Sequence, residues 1–201
     1  VTKPIPLAVL ALVLCAGCGD DQPQQVAPPT GEPVQTEAAP EVVRKNLPGT
    51  GVLAMTKTGD FDLYPQALEE ALAALAARGI VPLGDPMGIL DPESGDLPVA
   101  ERRWEVLLPV PNSTFPPEGF TYRDLEGGPS AVIAFKGPFR RDRAPLYETL
   151  DSWVYAHGFE PVGPPVEVYH WGENLPEEER VTEIYLRFGE PGGQPEPEGE
   201  E

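Results

Sequence analysis

Glu183 stands inside an alternating run, Val181-Thr182-Glu183-Ile184-Tyr185-Leu186, where a carboxylate is unfavourable unless something pairs with it. In a closed cleft such a carboxylate selects a cation by charge, and aromatic rings add stacking and cation–π attraction. Alternation puts Tyr185 on the face of Glu183, opposite Thr182, Ile184 and Leu186. Tyr169 and Trp171 end the preceding predicted strand, and Tyr147 lies beside an apolar helix stripe. These aromatics are candidates for a ligand wall. Glu105 holds the place of Glu183 in an earlier, similar segment. The same residues allow plainer readings. Glu183 suits an exposed sheet face with an arginine partner, Arg102 and Arg103 are placed to neutralise Glu105, and aromatics at this spacing also build cores.

A second chemistry is hydrolysis with Glu183 as general acid or base, which needs its carboxyl pKa raised towards neutral by burial. The common catalytic patterns are missing. The two histidines, His157 and His170, form no metal-spaced cluster, and there is no nucleophile elbow or phosphate loop. His170 is the one residue placed to serve as an axial haem ligand, and no cofactor is expected. Asn112-Ser113-Thr114 reads as a turn.

The elements that must position these residues come in two copies. A step of about 78 residues carries Gly59 and Phe61 onto Gly137 and Phe139, and Leu68, Leu72 and Leu75 onto Leu146, Leu150 and Trp153. One inserted residue later, Gly79, Pro82 and Gly84 fall on Gly158, Pro161 and Gly163; Glu105 and Leu108 then fall on Glu183 and Leu186. Turn residues, apolar faces and a strand carboxylate recur together in one order. The period is too long for a solenoid.

Each unit reads strand, helix, strand, strand. The first predicts strands over 51–58, 87–90 and 103–110 and a helix from the Phe61 region to Arg78, with Pro65 in its first turn and Gly79 as its cap. The second predicts strands over 131–136, 166–171 and 181–188 and a helix over 144–156. The expected fold class is α+β: a duplicated strand-helix-strand-strand unit, repeats at about 51–110 and 120–188, forming a mostly antiparallel sheet with two helices on one face. Two related units meet at a cleft, the default place for a ligand.

Lys136-Gly137-Pro138-Phe139, then His157-Gly158-Phe159-Glu160-Pro161-Val162-Gly163-Pro164-Pro165-Val166-Glu167-Val168-Tyr169, and Thr182-Glu183-Ile184-Tyr185 resemble the GyrI-like, or AraC-type effector-binding, domain, a relative of the SOUL haem-binding fold. The resemblance covers most of residues 50–189. It implies a central small-molecule pocket, with the position of Glu183 facing the ligand. In regulators of multidrug efflux, such domains sense bulky aromatic cations; some stand-alone members resemble hydrolases of strained toxins.

The flanks differ in kind. Lys3, an apolar run from Leu7 to Leu14, and Cys15-Ala16-Gly17-Cys18 describe a signal peptide over 1–18, too short to span a bilayer. Ala16-Gly17-Cys18 resembles a bacterial lipobox with Cys18 as the acylated residue; Cys15 departs from the usual leucine. An ordinary cleaved secretory signal is the alternative. Residues 19–48, rich in Pro and Gln, read as a solvated tether, 49–189 as the domain, and 190–201 as a disordered acidic tail. No cysteine follows Cys18, which leaves the domain without disulfide or thiol chemistry. A net charge of −19 argues against nucleic acid as a partner and permits cationic ones. The function expected is that of a lipid-anchored, extracytoplasmic protein of the cell envelope, held to the membrane by its anchor alone and binding an apolar, cationic small molecule. A hydrolase is the first alternative, and an envelope interaction module without an active pocket the second.

Overall fold

The computed structural model describes residues 40–140, 142–172 and 175–191. The expected signal peptide, Cys18 and nearly all of the expected tail lie outside the described residues. Strands β1 (Val42–Leu47) and β2 (Thr50–Thr58) lead to helix α1 (Tyr64–Ala76), then to β3 (Met87–Leu90) and β4 (Arg103–Pro109). The second half repeats this order: β5 (Thr121–Leu125), β6 (Gly128–Lys136), α2 (Ala144–Ala156), a two-residue β7 (Glu160–Pro161), β8 (Val166–His170) and β9 (Val181–Gly189).

The helices begin and end as their sequences dictate. Pro65 and Pro145 stand in the first turns, where a missing N–H costs nothing. Gly79 and Gly158 take φ of +68° and +76°, and the residue after each donates to the carbonyl five positions back, Ile80 to Leu75 and Phe159 to Val154. That pair of features is a Schellman stop.

Every strand pair is antiparallel, and the order is β1-β6-β9-β8-β3-β4-β2-β5, with β7 beside β9. Exchange β1 with β5, β2 with β6, β3 with β8 and β4 with β9, and the order reads the same backwards. A pseudo-twofold axis therefore passes between β3 and β8. The unit is one strand longer than the sequence pattern implied. Its leading strand pairs not within its own repeat but with the other: β1 with β6, β5 with β2. Val42–Leu47 thus belongs to the sheet, not to the tether expected to reach residue 48. Both leading strands are polar and mostly exposed, as charged edge strands are, so neither shows a two-residue hydrophobic alternation.

Register fixes the faces. Met55, Val106, Gly88, Glu167, Ile184 and Ile133 lie side by side across six strands. This row faces the helices: α1 packs on Leu53, Met55, Val106 and Leu108, and α2 on Ile133, Phe135, Ile184 and Leu186. Both helices cover one face, as expected. The other face carries an apolar cluster of its own, with Val52, Leu107 and Val132 wholly buried. Leu47 and Leu125, one from each leading strand, pack over it. Among the described residues, no helix is long and apolar enough to cross a membrane.

Candidate functional site

The candidate residues fall on two sides of the sheet. Glu183, Tyr185 and Glu105 share the face turned away from the helices. Tyr185 Oη donates to Glu183 Oε2 at 2.6 Å, and Lys45 from β1 forms an ion pair with Glu183 Oε1. His170 Nε2 lies 3.3 Å from Glu183 Oε2, while its Nδ1 lies 2.7 Å from Asp85 Oδ2. Burial acts to raise the carboxyl pKa of Glu183, but the hydrogen bonds from Lys45, Tyr185 and His170 outweigh it and hold the group below its usual range. That is the reverse of the shift a general acid needs at neutral pH.

Glu105 is bound to Arg123 of β5 and accepts from Thr56 Oγ1 at 3.4 Å. The sequence suggested Arg102 or Arg103 as its partner. Arg103 instead pairs with Asp91 at 2.7 Å, and Arg102 Nε donates to Leu97 O. Glu105 lies in a cleft of about 620 Å³ with Thr56, Ile89, Arg123, Leu125 and Arg187. The two glutamates do not meet: β3 and β8 stand between their strands.

Tyr147, Tyr169 and Trp171 do not join Glu183 in one aromatic wall. They lie on the helix side, around Glu167, which is not among the candidates the sequence offered. Glu167 is 1% exposed at the middle of the helix-facing row, beside the pseudo-twofold axis. Tyr169 Oη donates to its Oε2 at 2.9 Å, Tyr147 Oη donates to its Oε1, and Arg143 Nε donates at 2.9 Å. Space for this comes from Gly88, the neighbour of Glu167 across the ladder. A Cβ there would come within 2.7 Å of Tyr169 Oη and 3.1 Å of Tyr64 Cε2. Burial first, and then the Glu167 charge, push the hydroxyls of Tyr147 and Tyr169 well above their usual pKa, so both remain protonated donors.

Aromatic rings enclose the group. Tyr64, Phe139, Tyr169 and Trp171 form a continuous cluster with centroids 4.6–6.2 Å apart, and Phe61 joins at 5.3 Å from Phe139. The Arg143 guanidinium, 8% exposed, lies 4.3 Å from the Phe139 centroid and 5.5 Å from that of Phe61. Burial opposes its charge, but Glu167 outweighs that and raises its pKa.

Tyr147 also lines a pocket of about 410 Å³, with Leu90 and Trp104 from the first repeat and Asp151, Pro165 and Leu186 from the second. Burial raises the Asp151 carboxyl pKa. Tyr147 therefore joins an open, mainly apolar pocket to a closed carboxylate. The signal for Glu167 was in the sequence: Val166-Glu167-Val168-Tyr169 is as strand-like as the run around Glu183, with a carboxylate just as misplaced. Among the described residues, no group of three or more acidic, histidine or cysteine side chains is placed to hold a metal ion.

The sequence matches the family of GyrI-like small molecule binding domains over residues 40–188. The chain belongs to that family. Solved structures agree on the fold of this GyrI-like domain. The C-terminal domain of EcmrR superposes with a TM-score of 0.64 at 16% identity, over 75% of this chain and 98% of that one. In the cryo-EM EcmrR–DNA complex the score is 0.65 at 16% identity; 75% of this chain is covered, but it spans only 57% of that longer one. A hydrolase from Listeria innocua gives 0.54 at 16% identity, over 76% and 94% of the two chains. None of the curated proteins matches the sequence.

Proposed function

We propose that this GyrI-like domain binds a small organic cation with a flat apolar body, in the pocket that Tyr147 joins to Glu167. One observation supports this above the rest. A buried carboxylate, two tyrosine hydroxyls and two phenylalanine faces already hold one cation, the Arg143 guanidinium. Carboxylate plus aromatic faces is the chemistry that recognises a cation taken out of water. Tyr147, Tyr169 and Trp171, singled out from the sequence, line this side. The test is calorimetric titration of the full chain with a planar aromatic cation and a neutral ligand of the same shape. The cation should bind at least tenfold more tightly; equal affinities would remove the carboxylate from the reading.

The cellular setting is part of the same proposal. Cys18 is acylated and holds the domain at the extracytoplasmic side of the cell envelope, which separates it from nucleic acid. The support is Ala16-Gly17-Cys18 after a short apolar run. Labelled fatty acid should enter the wild-type chain and not Cys18→Ala.

A second reading, hydrolysis at Glu183, is favoured by the chain Asp85–His170–Glu183–Tyr185. Its lowered carboxyl pKa keeps Glu183 ionised, as a carboxylate nucleophile requires, and works against it as a general acid or base at neutral pH. Turnover of a strained electrophile, lost in Glu183→Gln, is its signature.

A further inference from the structure

We propose that the cleft around Glu105, on the face turned away from the helices, is a second binding site, and that it takes an uncharged, polyhydroxylated molecule, a short oligosaccharide. The inference does not rest on the cation reading above; residues and ligand are both different.

The duplication sets Glu105 and Glu183 in matching surroundings and leaves only Glu105 open. In the second repeat Lys45 takes one oxygen of Glu183, and Tyr185 and His170 turn onto the other. The repeat step carries those last two positions back onto Leu107 and Asp91. Leu107 has no hydroxyl and is wholly buried in the apolar cluster beneath. Asp91 turns to Arg103 instead. Glu105 is left with Arg123 on Oε2 and a long contact from Thr56 Oγ1 on Oε1. Both oxygens therefore keep acceptor sites. The cleft of about 620 Å³ over Glu105 falls within the range of about 300–1,000 Å³ usual for ligand sites.

The lining selects the ligand. Three ion pairs border the cleft: Arg123 with Glu105, Arg103 with Asp91 at 2.7 Å, and Arg187 with Glu126 at 3.1 Å. Each guanidinium spends one terminal nitrogen on its carboxylate, and the rest of the fork remains to donate. A hydroxyl both donates and accepts, so a polyol bridges the two members of a pair without bringing charge of its own. A charged ligand fits less well. Every one of the three guanidiniums already has its carboxylate, and Glu93 and Asp124 add two more acids to the wall, so an anion meets net negative charge. A cation meets three guanidiniums set among the acids. Ile89, Leu125 and Pro164 supply apolar patches for the C–H faces of sugar rings. Asp91, Pro92, Arg103 and Pro164 border both this cleft and the helix-side pocket, so the test has to tell the two apart.

The experiment follows the backbone amide shifts of the isotope-labelled full chain by NMR during titration with maltotriose, cellobiose and diacetylchitobiose, all uncharged. Triglycine, a zwitterion, and spermidine, a cation, are the contrasting probes. At least one saccharide should shift the amides of Ile89, Glu105 and Leu125 saturably, and bind about tenfold or more tightly than triglycine or spermidine. Glu105→Gln and Arg187→Met should each weaken that saccharide about tenfold. Lys45→Met, the matching side in the other repeat, and Tyr147→Phe, on the helix side, should leave it within about twofold. Should Glu105→Gln fail to fold, Glu105→Leu/Arg123→Met removes both members of the pair at once and carries the same comparison. No saturable shift with any of the three saccharides at millimolar concentration would overturn the site. Triglycine or spermidine binding there as tightly as the saccharides would overturn the ligand class. Saccharide binding lost in Tyr147→Phe and kept in Glu105→Gln would move the ligand to the helix side and overturn the inference. The aromatic-cation titration decides the other reading separately.

Discussion

Lys45 of the first repeat forms an ion pair with Glu183 of the second, and Arg123, 78 residues after Lys45, makes the reciprocal pair with Glu105 of the first. Each repeat is completed by the leading strand of the other. The exchange makes the two halves one cooperative unit and moves the start of the domain to about residue 40.

Truncation should expose that boundary. A chain beginning at residue 40 should keep full stability. A chain beginning at 49 loses β1 and with it Leu47, 2% exposed. Losing one buried leucine side chain costs about 2–5 kcal/mol, and an unpaired β6 edge invites association. Urea unfolding and sedimentation should show the shorter chain weaker by about 3 kcal/mol or more and prone to self-association. Lys45→Met alone, a half-exposed pair, should cost less than about 1 kcal/mol.

The buried pair behaves differently. Arg143→Met leaves Glu167 charged and unpaired, and Glu167→Leu leaves the guanidinium so. Each should lower unfolding free energy by about 3–5 kcal/mol, while the double variant should recover most of the loss. Chemical denaturation of the four proteins gives the coupling directly. Losses that simply add would mean that the two side chains act independently.

Alkali should unfold the domain through its tyrosines. Burial, and then the charge of Glu167, raise the folded-state pKa of Tyr64, Tyr147 and Tyr169. A raised pKa contributes stability that is fully present below the unfolded value of about 10 and is lost as pH rises through the folded one. Absorbance at the phenolate band should therefore show these groups ionising together with loss of near-UV circular dichroism. Smooth ionisation in a domain that stays folded would count against their burial.

The sequence made the duplicated framework legible because helices, inner strands and turns leave periodic marks. Helix α2 and strand β3 fall where the apolar pattern placed them. The two leading strands were not legible. They are held by pairing with the other repeat, and their Lys, Arg and Asp side chains describe an edge, not a core. The site was legible in pieces. Alternation correctly set Glu183 and Tyr185 against Ile184 and Leu186, but it cannot say which face of a sheet is roofed by helices. Glu167 was not legible as a site residue, since its partner Arg143 comes from a loop that no periodicity describes.

The last prediction separates the two faces. Cation binding on the helix side requires the charge of Glu167, and a charge-assisted contact is worth about 1.5–3 kcal/mol, so Glu167→Gln should weaken a planar cation about tenfold or more. Glutamine keeps most of the shape, although its one carbonyl oxygen replaces the acceptor of only one of Tyr147 and Tyr169, which donate to different oxygens of Glu167. Should the variant prove unstable, Tyr147→Phe perturbs the same side with less damage. Glu183→Gln and Glu105→Gln, on the opposite face, should leave that affinity within twofold. They should act elsewhere. Glu183 has a depressed folded-state pKa, so its contribution to stability is present above the unfolded value of about 4.3 and fades as pH falls through the folded one. Glu183→Gln should flatten the acid limb of the stability profile and leave the profile above pH 6 parallel to that of the wild type. Loss of cation binding in Glu183→Gln with retention in Glu167→Gln would place the ligand beside Tyr185 and Lys45 instead, and would make Tyr147, Tyr169 and Trp171 core residues.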